Sequence, residues 1–564
     1  MRTIDGQTFK MMLLSGANHL YNHYPEIDAL NVFPVPDGDT GMNMNLTLQS
    51  GSKEISNRNE NDIYSIAKNF SRGLLMGARG NSGVITSQIF RGISDGLKDK
   101  ISINASELAD ALISGKNVAY KRVTTPVEGT ILTVIRESSE ALKDRVRSDT
   151  SIEEAFTILL KEAKASLERT PNLLPVLKEV GVVDSGGAGL VTIFEGMLSA
   201  LKGEFIYKNE ATAVDKKGSS ELFDEEENIG YLVEFIMKLG PSDSKKTFQL
   251  NRFKGVLNSH STSLKLIDDN DVIKVHLHTY TPGNIISYAQ SFGEFSKIKI
   301  ENLLDSNKSE PLFNLEEENN KDSSKNEEIK ITKKDENVAP TLDKEFAIVA
   351  TSSGKGIDEY FNEIGVDALV SGGQTMNPST NDFVDKIEKL HAKNVFILPN
   401  NSNIIMAANQ AVDVLKNKVN VVVIPTKTIM QGLVVAMSFN PEVDLDTNVE
   451  TMNEAINSVK SGCVTFAIKD TDINGVHVTK DEFMAIRGTK DILGSYKNKF
   501  DALKSLVENL VDEDSSILTI LVGQDINEKE EAKIKDYFDE TYNQIDCDIR
   551  RGDQPVYSYL VGVE

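Results

Sequence analysis

The chain has 564 residues, enough for three or four domains, and 40% of them are hydrophobic, so it can bury sizeable cores. Its 61 basic and 85 acidic side chains leave a net charge of −24, which argues against nucleic acid or an anionic membrane as a general partner. Two cysteines far apart, Cys463 and Cys547, give no disulfide framework and suit a reducing compartment. The N-terminus has no apolar signal core and no run of 18 apolar residues occurs, so no transmembrane segment is expected and a cytoplasmic location is.

Residues 1–205 read as helices almost throughout, near 7–23, 40–55, 62–76, 82–98, 105–122, 129–147, 151–168 and 187–201. Ile131, Val134, Ile135, Ser138 and Leu142 show the spacing of one buried helical face. The central stretch is Asn31-Val-Phe-Pro-Val-Pro-Asp-Gly-Asp-Thr-Gly-Met-Asn-Met-Asn45. Pro34 and Pro36 hold the approach extended. Asp37 and Asp39 then flank Gly38 just before a helix that begins near Thr40. This reads either as an Asp-Gly turn with an N-cap or as a seat for a hard cation and the phosphates it carries. EF-hand spacing is absent.

Three further loops open onto predicted helices: Gly77-Ala-Arg-Gly-Asn-Ser-Gly83, Thr125-Pro-Val-Glu-Gly-Thr130 and Asp184-Ser-Gly-Gly-Ala-Gly189. Glycine lets a ligand approach the backbone, and each helix start offers N–H groups and a positive dipole end. Four such loops in one helical domain suggest convergence on an anion. No Gly-x-x-x-x-Gly-Lys-Ser/Thr motif occurs, so this is not a P-loop enzyme.

Residues 206–228 are polar and acidic and read as a linker. Residues 229–302 follow with the order βαββαβ of a ferredoxin-like α+β module. Its strand 272–279 carries His276 and His278, which face one side; they make either a structural pair or part of a zinc site, and no third ligand lies near in sequence. Residues 303–343 are charged and poor in large apolar groups, the composition of a disordered linker. From 344 to 564, strands alternate with helices near 355–363, 380–391, 402–416 and 428–437, which predicts an α/β domain with a mainly parallel sheet. Gly354-Lys-Gly356, Ser371-Gly-Gly373 and Asn400-Asn-Ser402 each follow a strand, where open α/β sheets bind ligands or simply turn.

Asn31-Val-Phe-Pro-Val-Pro-Asp-Gly-Asp-Thr-Gly41, Gly80-Asn-Ser-Gly83 and Asp184-Ser-Gly-Gly187 resemble the ATP-binding subunit of bacterial fatty acid kinase, whose N-terminal domain is related to the nucleotide-binding subunit of dihydroxyacetone kinase. Gly372-Gly-Gln-Thr-Met-Asn-Pro378 and Leu398-Pro-Asn-Asn-Ser-Asn403 resemble that family's C-terminal domain. The resemblance implies an eight-helix barrel holding ATP through two magnesium ions. Asp37 and Asp39 match the magnesium ligands, and Asn31 stands where the dihydroxyacetone kinase branch has a third aspartate. Thr40, Asn43, Ser82, Gly83, Thr130, Asp184 and Gly186 match positions around the nucleotide. His276 and His278 match the middle domain's zinc histidines, but Leu232 stands where the family has a cysteine. The implied reaction moves the γ-phosphoryl of ATP to a fatty acid carried by a separate binding protein, giving acyl phosphate for phospholipid synthesis, with the kinase a homodimer. The alternatives are a small-molecule kinase of the dihydroxyacetone (glycerone) type and a non-enzymatic nucleotide-binding regulator.

Overall fold

The computed structural model describes residues 1–30, 38–123, 125–209, 231–239, 250–259, 261, 263–269, 272–279, 282–290, 292–302, 344–373, 376–473 and 475–564. Residues 210–228 of the linker read at 206–228, and all of the linker at 303–343, therefore lie outside the described residues, as do Asn31 and Asp37.

Capping residues set out the helical part. Strand β1 (Thr3–Asp5) leads into α1 (Gly6–Asp28), where the Asp5 carboxylate accepts from Thr8 N. Next come α2 (Thr40–Ile55), α3 (Ile63–Gly77) capped by Asp62, and α4 (Gly80–Gly96). Strand β2 (Ser102–Asn104) pairs antiparallel with β1, two short strands that the helical periodicity did not announce. Asn104 and Ser151 form capping boxes with Glu107 and Glu154 at the starts of α5 (Ala105–Arg122) and α7 (Ile152–Leu173). Between them lies α6 (Ile131–Arg145). A short α8 (Pro175–Val180) ends on Gly181, whose φ of 76° suits glycine, and α9 (Ser185–Leu201) closes this part. Each helix buries one face, including Phe70 against Phe90 at 5.3 Å and Phe156 against Phe194 at 6.5 Å. Fully burying such a side chain contributes about 1.5–3 kcal/mol.

The middle module runs β3 (Tyr231–Leu239), α10 (Leu250–Ser259), β4 (Ser263–Asp269), β5 (Val272–Thr279), α11 (Pro282–Gln290) and β6 (Gly293–Asn302). The sheet order is β4-β5-β3-β6 and every pair is antiparallel. Val233, Phe235, Met237, Ile273, Val275 and Leu277 fill one face with Phe253 and Ile285 from the helices. The alternate residues, His276 and His278 among them, face the other way.

The C-terminal part holds two sheets. The first is wholly parallel, order β10-β9-β7-β8, from β7 (Lys344–Ser352), β8 (Ala368–Ser371), β9 (Ala392–Leu398) and β10 (Asn420–Val423). Its crossovers contain α12 (Lys355–Glu363), α13 (Thr380–Glu388) and α14 (Ile405–Leu415), and α15 (Ile429–Met437) and α16 (Leu445–Ala455) follow. The second sheet overturns the expectation of a mainly parallel domain. β11 (Lys460–Phe466), β14 (Phe483–Arg487), β15 (Asp491–Tyr496), β16 (Ile517–Val522), β17 (Asp546–Arg551) and β18 (Tyr557–Val563) are ordered β15-β14-β11-β18-β16-β17, and only β16 and β17 run parallel. β12 (Thr471–Ile473) and β13 (Val476–Val478) form a side ribbon, and α17 (Lys499–Leu510) and α18 (Glu528–Thr541) complete the part. The reason is connector length: β14 and β15 are joined by three residues turning at Gly488 with φ 61°, too few for a parallel crossover.

The helical and C-terminal parts, residues 1–54, 60–206 and 342–564, form one compact unit, and residues 55–59 and 207–341 form a second. Among the described residues no helix is long and apolar enough to cross a membrane.

Candidate functional site

Four helix starts meet at one end of the helical part, brought together by small residues. A Cβ on Gly41 would lie 2.3 Å from the Tyr24 carbonyl oxygen, so only glycine lets α2 sit this close to α1. Gly80, at φ 56°, would place a Cβ 2.4 Å from the Asn43 amide, which brings the start of α4 onto α2. Gly189 of α9 rests on Met44 of α2, and Gly186 rests on Ile131 of α6.

Asp39 stands immediately before α2. It is buried, and its backbone carbonyl accepts from Asn43 N at 2.8 Å. Thr40, Asn43, Ser82 and Gly83 gather around it: Ser82 Oγ donates to Thr40 O at 3.4 Å, and Gly83 lies against Thr47 and the Asn43 carbonyl. Thr130, Asp184 and Gly186 form a second group where α6 and α9 begin. There Thr130 caps α6, and the Asp184 carboxylate accepts from Gly187 N at 2.7 Å. Burial pushes the Asp184 carboxyl up to about 6, against the opposing pull of its backbone N–H donors.

Sequence reasoning missed Asp28. This last residue of α1 accepts from Gly41 N at 2.6 Å and Met42 N at 3.2 Å, so the start of α2 is capped from a distance rather than left open. Burial raises its pKa to about 7 despite those two donors. The nearest signal was an aspartate closing a helix just before the proline loop, and spacing alone does not reveal its target.

The C-terminal part packs on this same end. Thr380 N donates to Ala78 O at 3.1 Å, and Arg79 and Ser379 form an antiparallel bridge. Arg79 Nη1 donates to Asn377 O at 2.7 Å and lies 3.6 Å from the Asp382 carboxylate. Asn377 Nδ2 in turn donates to Asp39 Oδ2. Further along, Gln410 accepts from Gln88 Nε2 at 2.7 Å and donates to Leu75 O at 2.6 Å. Ala78 and Val84 share an apolar cluster with Ala407.

A cavity of about 630 Å³ opens beside this junction. Its helical wall is Asp39, Thr40 and Asn81. Its floor is formed by loops at the C-terminal ends of β7, β8 and β9: Thr351 and Ser353, Gly372 and Gly373, and Asn400 to Asn403. The runs at Ser371-Gly-Gly373 and Asn400-Asn-Ser402 thus line one space, and Gly354-Lys-Gly356 is not part of that lining. Met430, Ile486, Val556 and Leu560 make an apolar flank, with Lys427 and Lys490 exposed nearby. Thr351 and Gln554, each 2% exposed, carry Oγ1 and Oε1 atoms without hydrogen-bond partners among the described residues. Asn400 at φ 58° and the β-branched Val556 at φ 71° hold left-handed backbone conformations, which clusters strain along the lining.

The histidine pair lies in the middle module. Its rings stand 5.8 Å apart, and the buried Glu234 bonds His276 Nδ1 at 2.8 Å. Leu232 is opposite His278 in register. Among the described residues no group of three histidine, cysteine or acidic side chains is placed to hold a metal.

The family models that match are the DAK2 domain over residues 34–199, the FakA-like middle domain of fatty acid kinase over 228–310, and the FakA-like C-terminal domain of fatty acid kinase over 347–564. Protein YloV of Bacillus subtilis (strain 168) is 43% identical over 574 residues, covering 100% of both chains. The chain belongs to the FakA-like family of fatty acid kinase proteins. It is therefore of a kinase type, with a DAK2 domain as its helical part. Among solved structures, the dihydroxyacetone kinase from C. freundii in complex with AMP-PNP and Mg2+ aligns with TM-score 0.28 and 18% identity over 34% of this chain and 33% of that one. DegV, a fatty acid binding protein from Bacillus subtilis, aligns with TM-score 0.31 and 13% identity over 39% of this chain and 98% of that one.

Proposed function

We propose that this chain is the kinase component of a two-protein system. It transfers the γ-phosphoryl of ATP to the carboxylate of a fatty acid presented by a separate fatty-acid-binding protein, and the acyl phosphate feeds phospholipid synthesis. The observation that carries this reading is the buried Asp39 carboxylate among four converging helix starts, in a family of kinase type. In this reading the helical part is the eight-helix barrel, the middle module is ferredoxin-like, and the kinase is a homodimer.

Asp37 and Asp39 would hold magnesium, with Asn31 as a further ligand. Thr40, Asn43, Ser82 and Gly83 would line the phosphates, and Thr130, Asp184 and Gly186 the rest of the nucleotide. The donor set suits this: hard carboxylate oxygens sit against helix N-termini, which favour anions. When bound, magnesium would neutralise charge on the transferring phosphoryl group.

The rest is positioning. A fatty acid carboxylate is already ionised near neutral pH, so no general base is needed. The chain's task is to bring that oxygen to about 3–3.5 Å from the γ-phosphorus, in line with the leaving oxygen. Asp28, whose carboxyl titrates near 7, and Asp184, near 6, are occupied with backbone N–H groups and serve to fix the helix starts.

The test is ATP turnover by the full chain with a purified carrier loaded with fatty acid. Acyl phosphate formed only with loaded carrier supports the proposal. Equal turnover with free dihydroxyacetone and no carrier would refute it.

A further inference from the structure

We propose that Asn377, supplied by the C-terminal part, is a ligand of the divalent cation held at Asp39, so that the metal–nucleotide site is completed across the junction between the helical and C-terminal parts. This rests on the reading of Asp39 as a metal-holding carboxylate.

Two residues separated by 338 positions meet here, with Asn377 Nδ2 donating to Asp39 Oδ2. Asn377 is 1% exposed. Its backbone carbonyl is fixed by Arg79 at 2.7 Å, and its neighbour Ser379 caps α13. The residue is thus pinned, yet its side-chain Oδ1 has no hydrogen-bond partner among the described residues. Buried polar oxygens are rarely left so, and no bond at Oδ1 holds the amide in this orientation.

The amide has two ends of opposite character. With Nδ2 toward Asp39, the contact is a hydrogen bond to a carboxylate and needs no cation. A half-turn about the Cβ–Cγ bond sets Oδ1 beside the carboxylate instead. Two oxygens facing each other in a buried place repel unless a cation lies between them. Magnesium is the cation this oxygen set favours, since it takes few protein ligands and leaves its other positions to water and phosphate. Lysine or arginine does not fill the role: Arg79 is engaged with the Asn377 carbonyl and Asp382. The same side chain can therefore seal the site without metal and join it when metal–nucleotide enters.

The experiment uses the full chain and a non-hydrolysable ATP analogue. Calorimetry with Mg2+ and with EDTA gives the metal-dependent increment in affinity, and electron paramagnetic resonance of Mn2+ reports the metal directly. Asn377→Ala should reduce the increment about tenfold, the scale of a lost supporting oxygen at a metal. Its affinity in EDTA should stay near that of the unmodified chain, while its melting temperature should fall with the loss of the buried hydrogen bond to Asp39. Asn377→Asp keeps an oxygen ligand but not the amide donor, and should restore Mn2+ binding. Gln410→Ala loosens the junction away from Asp39 and should leave the increment intact.

An unchanged increment in Asn377→Ala, no restoration by Asn377→Asp, or an equal loss in Gln410→Ala would each overturn the assignment. Asp39→Ala separates the two levels of inference. Should it keep the full increment, the metal reading of Asp39 itself fails. Should it lose the increment while Asn377→Ala does not, only the role of Asn377 fails.

Discussion

Asp39 and Asn400 line the same cavity from different parts of the chain, and they are held in different ways. Asp39 precedes a helix, among other helix starts, and brings a charge to a place where backbone dipoles converge. Asn400 ends a strand, at φ 58°, and its polar atoms go to neighbours: Nδ2 to Thr351 O at 2.9 Å, and N and Oδ1 to the Thr426 hydroxyl. The helical wall brings a carboxylate, whereas on the sheet side Asn400 is satisfied by its neighbours and apolar side chains such as Met430 and Leu560 also face the space. The contrast teaches that one junction can present a carboxylate on one side and apolar side chains on the other, with Asn377 and Arg79 bridging the two parts.

The sharpest way to break that comparison is to remove the charge. Asp39→Ala should lower phosphoryl transfer at least about a hundredfold, the scale of losing one preorganised electrostatic group, while circular dichroism stays unchanged. Turnover with loaded carrier measures it, and near-normal rates would erase the distinction between the walls.

The next effect is on the join. Arg79→Ala strands the Asn377 carbonyl and loosens Asp382, for a loss of about 2 kcal/mol, since hydrogen bonds to charged groups contribute most. The expected readout is a lower urea midpoint for the helical and C-terminal parts together.

A pH series sharpens the helical side. The folded pKa of Asp28, about 7, stands above the usual carboxylate value, so the fold favours the protonated form. Its contribution to stability is complete below about pH 4 and is lost as pH rises through 7. Asp28→Asn keeps an oxygen acceptor for Gly41 and Met42 and should flatten this slope, melting at or above the unmodified chain at pH 8. Asp28→Ala loses the cap and should cost about 1 kcal/mol at low pH. Identical melting curves for all three would show that the cap carries no weight.

The smallest effect tests the sheet side. Val556 holds φ 71°, a region where glycine is at ease and a β-branched residue is not. Val556→Gly should stabilise by up to about 1 kcal/mol, read as a rise in melting temperature, and an unchanged or lower melting temperature would show that this backbone position carries no net strain.

What the sequence made legible follows this division. The eight long helices of the first part were readable because each carries its own periodicity and most carry their own caps, as Asp62, Asn104, Ser151 and Asp184 do. The parallel sheet of residues 344–423 was readable from its alternation with helices. The antiparallel sheet beyond it was not, because a run such as Val464 to Phe466 looks alike in either strand direction, and the deciding cue was a three-residue connector at Gly488. The partners of Asp28 and Asn377 were not legible for another reason: they are set by packing between elements, and neither spacing nor propensity records that.

The join between Ala78, Val84 and Ala407 also sets a schedule for synthesis. The chain leaves this compact unit at Ile206 and returns at Leu342. At about 5–20 residues per second, roughly 15 to 70 seconds separate the emergence of Asp39 from that of Asn377, 338 residues later. Through that interval the nascent helical part must keep the faces of α3 and α4 uncovered in the cell, without the segment that will cover them. A ribosome stalled anywhere between would display an apolar surface with its future cover still unmade, which is a point of entry for chaperones and a vulnerability to truncation.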